Sequence, residues 1–282
     1  MFEHVLVAVD FSPAWDRLQA RLEGLRALGC RRLTLAHVMV EGYGRAPGMD
    51  HGAHYQAKLE SLAAQLRERG FETSVAVRAG AVASELESVA QEVGAGVILA
   101  GSHGHSRLRD LLLGNTVLDL ARRARRPLLL APTGRHEDRH EDADETQAGE
   151  AICRPLLATD GSSAARAAEE AFLRLLPACH RGVVVSVGRW DDDPDRNDER
   201  RAMEDHMEAL AQEAGEHAFE TVLLGQGRPS VEIGRIAEER GADLVIIGKR
   251  GRNPVTDLLL GSTAEAVCRH AGRLTLLVPG DA

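Results

Sequence analysis

The chain has 282 residues, enough for two domains. Its 44% hydrophobic and 27% charged residues are ordinary for a globular protein, but only 3% are aromatic, so its cores must be built from Leu, Val, Ile and Ala. A net charge of −9 argues against nucleic acid as the main partner, because such a surface needs excess Lys and Arg to displace counterions; a single nucleotide held by a few backbone N–H groups is compatible with it.

The N-terminus, MFEHVLVAVDFS, carries no basic segment, long apolar stretch or small-residue cleavage site, so no secretory signal is expected. Apolar runs near 4–10, 32–38, 72–77, 96–101 and 127–131 have strand length and aliphatic content. Segments with helical spacing lie between them, such as Leu59, Leu62, Ala63 and Leu66 before Gly70. Residues 134–150, GRHEDRHEDADETQAGE, have seven acidic residues and no apolar periodicity, the composition of a solvated linker. His136 and His140 sit four apart among these acids, but a tract of this kind does not preorganise metal ligands. Strand-like runs resume near 153–159, 182–187, 218–224, 243–248 and 274–278. No run reaches the roughly 20 apolar residues of a membrane helix. Cys30, Cys153, Cys179 and Cys268 form no CxxC pair, so reduced thiols and a cytoplasmic location are expected.

The second series repeats the first. HVLVAVDFSPAWDRL from His4 matches RPLLATDGSSAARAA from Arg154, and GVILAGSHGHSRLRDLLLGNT from Gly96 matches DLVIIGKRGRNPVTDLLLGST from Asp243. The period is half the chain, so each copy is a whole domain: 1–133, a linker 134–150, and 151–282. Strands alternating with helices predict an α/β fold with right-handed crossovers and a parallel sheet covered on both faces. Ligands of such sheets bind beyond the carboxyl ends of the strands.

Those ends carry the candidate chemistry. The first strand of each copy closes on Asp10 or Asp160, whose carboxylate can accept from a ribose hydroxyl or a base amino group. Ser12 and Ser162 are expected to cap the following helices. The fourth strand opens into Gly-x-x-Gly-x9-Gly, with Gly101, Gly104 and Gly114 in the first copy and Gly248, Gly251 and Gly261 in the second. Glycines permit positive φ and close approach to a phosphate, and a helix start presents free N–H groups and partial positive charge. Asn115, Thr116, Ser262 and Thr263 add side-chain donors. There is no Gly-x4-Gly-Lys-Ser/Thr, and no Gly-x-Gly-x-x-Gly follows the first strand of either copy.

With these motifs the chain resembles the universal stress protein family, as two such domains in tandem. The resemblance rests on Asp10-Phe11-Ser12 and Asp160-Gly161-Ser162, the glycine loops, the His37-Val38 strand end and the terminal strands at Pro127–Leu130 and Leu274–Val278. It implies two doubly wound, adenine nucleotide alpha hydrolase-like domains, each a five-stranded parallel sheet of order 3-2-1-4-5. It also implies the ATP-binding branch of the family. ATP would then lie with its adenine near Val9, Asp10 and Val38, with Ala100 beside base or ribose, and with Gly101, Gly104, Gly114, Asn115 and Thr116 around its phosphates. The matching positions of the second copy are Thr159, Asp160, Val187, Ile247, Gly248, Gly251, Gly261, Ser262 and Thr263. Mg2+ would bridge the phosphates without a protein cage. The resemblance further implies pairing of the two domains through their terminal strands, and a possible homodimer.

The copies differ. Asn115 stands where Ser is usual, Ser186 takes the place of His37, and Pro254 removes a backbone donor from the second loop. Nucleotide is expected in both copies, with unequal affinity. His103 is matched by Arg250, which suits phosphate contact or exposure better than acid–base chemistry. The expected function is therefore ATP binding in a stress or signalling module with little or no turnover. The alternatives are a slow ATPase or adenylyl-transfer enzyme and a ligand-free scaffold.

Overall fold

The computed structural model describes residues 1–12, 15–40, 51–102, 114–132, 154–179, 181–191, 196–251, 260–270 and 272–280. The chain divides into two compact units, Met1–Ala151 and Ile152–Ala282. The proposed linker, His103, Gly104 and the Asn253-Pro254 pair lie outside the described residues.

In the first unit the elements run β1 (His4–Ala8), α1 (Trp15–Leu22), β2 (Arg32–Met39), α2 (His51–Glu68), β3 (Glu72–Ala79), α3 (Val82–Glu92), β4 (Val97–Gly101), α4 (Asn115–Arg123) and β5 (Leu128–Ala131). The strands lie in the order 3-2-1-4-5, and every pair is parallel. The second unit repeats the plan with β6 (Pro155–Ala158), α5 (Arg166–Leu175), β7 (Gly182–Val187), α6 (Asn197–Ala214), β8 (Phe219–Leu224), α7 (Pro229–Glu239), β9 (Leu244–Gly248), α8 (Ser262–His270) and β10 (Leu274–Val278). Its parallel order is β8-β7-β6-β9-β10, the same arrangement.

The patterning explains the layers. Central strands covered on both faces are continuously apolar, as in Val5-Leu6-Val7, Val97-Ile98-Leu99 and Val245-Ile246-Ile247, all buried. The end strands β3 and β8 have only half-buried and exposed positions and carry Glu72, Arg78 and Glu220. Each helix turns one apolar stripe inward, such as Ala83, Leu86, Val89 and Ala90 of α3. Buried Thr34 is paired on both sides: its Oγ1 meets His4 Nε2 and Ser74 Oγ, each at 2.8 Å, a short polar line across three strands.

Register decides what the carboxyl ends bring together. Val5, Leu6 and Val7 pair with Val97, Ile98 and Leu99, while Ala8 pairs with Ala36. In the second unit Leu156 and Leu157 pair with Val245 and Ile246, and Ala158 with both Val185 and Ile247. β1 and β4, like β6 and β9, therefore finish side by side at the point where the strand order reverses. The first strand of each copy is shorter than its apolar run suggests, ending at Ala8 and Ala158; Val9 and Thr159 still donate to Ala36 O and Val185 O, and the chain turns at Asp10 and Asp160.

Candidate functional site

In the second unit the turn after β6 is built around Asp160. Its Oδ1 accepts the Ser162 N–H at 3.0 Å and the Ser162 hydroxyl at 2.6 Å. The expected helix-capping role of the Ser162 hydroxyl is thus corrected: it serves the strand-end carboxylate, which closes a local turn by accepting from two residues ahead. Gly161 between them has φ +68°, a left-handed conformation that glycine adopts freely. Thr159 anchors the turn from below. Its hydroxyl donates to Glu169 Oε1 at 2.6 Å and accepts the Gly161 N–H at 3.1 Å. Glu169 is completely buried, and the same oxygen accepts from His206 Nε2 at 2.8 Å. An unpaired carboxylate would be costly there, so the pairing ties α5 and α6 to the end of β6.

Above this turn lies a cavity of about 380 Å³, within the range of small-molecule sites. Thr159, Asp160, Val187, Ile247, Gly248, Gly251, Gly261, Ser262 and Thr263 all line it. Its floor is the β6, β7 and β9 ends; one side is the start of α8. The Gly261 N–H donates to Lys249 O at 3.0 Å, and Gly261 O accepts from Glu265 N–H at 2.8 Å. The N–H groups of Ser262, Thr263 and Ala264 thus precede the first helical bond and face the anion-favouring end of the helix dipole.

The expectation that these glycines serve positive φ is also corrected. Gly248, Gly251 and Gly261 lie outside the left-handed region, and Gly114 has φ −58°. What they provide is space. A Cβ on Gly251 would stand 2.5 Å from Asp160 Oδ2, one on Gly248 3.1 Å from Arg250 O, and one on Gly261 3.3 Å from Lys249 O.

Several wall residues were missed from sequence: Ala165, Ser186, Gly188, Trp190, Glu199, Met203 and Ile233. Arg250 also lines the cavity, beside the glycine loop. Trp190 is buried, and its indole lies so close over Gly188 that a Cβ there would run into it. One of only two tryptophans in an aromatic-poor chain was the available signal.

The first unit reproduces the frame. Asp10 Oδ1 accepts the Ser12 N–H at 2.9 Å, and Val9 and Val38 are buried at the strand ends. Ala100 and Gly101 close β4 opposite Leu130 and Ala131. Gly114 makes the two bonds made by Gly261: its N–H donates to Ser102 O at 3.2 Å, and its carbonyl accepts from Leu118 N–H at 2.8 Å. Asn115 and Thr116 are exposed at the start of α4. The contents differ, however. Phe11, at φ +55°, stacks on Tyr55 with centroids 5.5 Å apart, and His37 lies 4.9 Å from Phe11 and 4.3 Å from Tyr55. His54, exposed in the first turn of α2, touches the Tyr55 ring edge-on with centroids 5.5 Å apart.

The model of the universal stress protein family matches residues 1–132 and again 154–279. Universal stress protein Rv2623 of Mycobacterium tuberculosis is 27% identical over 95% of this chain and 93% of its own length. Universal stress protein MJ0577 of Methanocaldococcus jannaschii is 27% identical over a shorter stretch, 26% of this chain and 45% of that protein. A solved universal stress protein from Archaeoglobus fulgidus superposes with a TM-score of 0.70 at 20% identity, covering 99% of this chain and 97% of that one, a likeness of fold.

Proposed function

This chain belongs to the universal stress protein family, and from that premise we propose that it is an ATP-binding stress-response and signalling module with little or no catalytic turnover. The observation that carries the proposal is the convergence of all nine second-copy residues, from four separate chain segments, on one cavity. The apolar Val187, Ile247 and Trp190 offer walls for a purine. The Asp160 carboxylate, at the strand end with Oδ2 on the side of Gly251, suits a ribose hydroxyl. The α8 N–H groups and Arg250 suit the phosphates. Mg2+ would arrive with the nucleotide, bridging phosphate oxygens and water.

The low-turnover part of the reading rests on how the wall groups are engaged. The Thr159 hydroxyl donates to Glu169, an acceptor shared with His206, and accepts from the Gly161 N–H, so it is engaged in a structural network. A cytoplasmic location suits the thiols: Cys30 and Cys268 are buried, and desolvation pushes them up to about 11 and about 12.

Mass spectrometry of nucleotide released from the native protein tests the proposal, followed by long incubation of the bound ATP with Mg2+. ATP recovered intact is expected. Turnover that disappears in Asp160→Ala would instead make the protein an enzyme, and a direct titration showing no nucleotide binding would make it a scaffold.

A further inference from the structure

We infer that His206 is a positioning residue of the second site: from outside the cavity it holds the Asp160 turn, and so sets the site's preference for an intact ribose. The inference rests on the nucleotide reading of that cavity. His206 does not line the cavity, but Glu199 and Met203, on the same face of α6, do. That face lies against the turn after β6. A Cβ on Gly161 would stand 3.1 Å from Met203 Cε and 3.5 Å from His206 Cδ2.

One chain of hydrogen bonds runs from His206 into the turn. His206 Nε2 donates to Glu169 Oε1, the same oxygen accepts from the Thr159 hydroxyl, and that hydroxyl accepts the Gly161 N–H. Thr159 and Gly161 flank Asp160, so the network grips the acid from both sides. Glu169 depends on these two donors. It is completely buried, and among the described residues its Oε2 makes no hydrogen bond. Arg166, 3.7 Å from that oxygen, is drawn to Glu213 at 2.6 Å. Of the two donors to Oε1, only His206 comes from outside the turn. Without it the buried carboxylate keeps one hydrogen bond and must shift or draw in water. Either movement passes through the Thr159 hydroxyl to both neighbours of Asp160. The His206 side chain is itself 28% exposed, so a polar replacement there leaves no hole in the core.

The test compares ATP with dideoxy-ATP, which lacks both ribose hydroxyls, by titration calorimetry of the full chain. Wild type should prefer ATP by about tenfold, the contribution of one hydrogen bond to a charged group. His206→Gln places an N–H near the position of the ring Nε2 and should keep that preference. His206→Asn is too short to reach Glu169; it should bind the two nucleotides within about threefold of each other, with dideoxy-ATP held as in wild type. If His206 served only to stabilise the fold, His206→Asn would weaken both nucleotides alike, and that result overturns the inference. It is also overturned by a preference that survives in His206→Asn, by one lost in His206→Gln, or by a wild type that binds both nucleotides equally. If His206→Asn does not fold, Thr159→Val cuts the same chain one bond nearer to Asp160, and a preference retained there overturns the inference as well. Wild type that binds neither nucleotide refutes the nucleotide reading itself, and the inference with it.

Discussion

Gly251→Ala tests the second site at its tightest point. The new Cβ would stand 2.5 Å from Asp160 Oδ2, whereas real Cβ atoms essentially never come within 3.0 Å of another heavy atom. Carboxylate or loop must therefore retreat by at least about half an ångström. The carboxylate is not free to swing, because Oδ1 holds both the N–H and the hydroxyl of Ser162. A displaced carboxylate would no longer meet the ribose hydroxyl of the proposed nucleotide, and one hydrogen bond to a charged group contributes about 1.5–3 kcal/mol. Gly251→Ala should thus weaken ATP by about 10- to 100-fold, at about 1.4 kcal/mol per decade. Isothermal titration of wild type, Gly251→Ala, Asp160→Ala and the double variant forms the relevant cycle. In the Asp160→Ala background, Gly251→Ala should cost less than about threefold. An equal penalty in both backgrounds would refute the reasoning, because the glycine would then be acting on something other than Asp160.

Three further outcomes are expected. Thr159→Val leaves Glu169 Oε1 with His206 alone and removes a partner from the Gly161 N–H; urea unfolding of the second unit should show a loss of about 2–3 kcal/mol, and a loss below about 0.5 kcal/mol would count against the buried network. Burial, followed by the nearby Arg32, lowers the His4 imidazole below its ordinary 6.5. Between the folded value and 6.5 the unfolded chain binds more protons than the native one, so this stability is complete above 6.5 and is lost as pH falls below it; thermal unfolding against pH should show the slope, and His4→Gln should flatten it. The thiols of Cys30 and Cys268 are buried and pushed up to about 11 and about 12, so Cys30→Ser and Cys268→Ser should each leave the number of fast-reacting thiols in the native protein unchanged at mildly alkaline pH, while full unfolding exposes one fewer than in wild type.

The fold was legible because its signals are local. Runs such as VILA and VIIG read as strands covered on both faces, and the stripe at Leu59, Ala63 and Leu66 reads as a helix, without knowledge of any distant contact. The duplication sets Asp10 and Asp160, and a glycine loop in each copy, after matching apolar runs. Strand length was less legible. Val9 and Thr159 continue an apolar run, but Asp10 and Asp160 bend the chain by accepting from Ser12 and Ser162.

The sequence by itself therefore determined the architecture, the pairing of a strand-end acid with a spaced glycine loop, and the half-chain period, because periodicity and spacing are properties of neighbours along the chain. Only the tertiary structure decided what each site contains. Parallel register carries Ser186 and Gly188 to the wall beside Thr159 in one unit, and His37 and Met39 to the same places in the other. The folded loop sets Gly251 against Asp160, so that the need is for space and not for a left-handed φ. Contacts between residues tens of positions apart, such as Phe11 with Tyr55 or Glu169 with His206, leave no periodic trace, yet they set the surroundings of the strand ends on two copies of one frame.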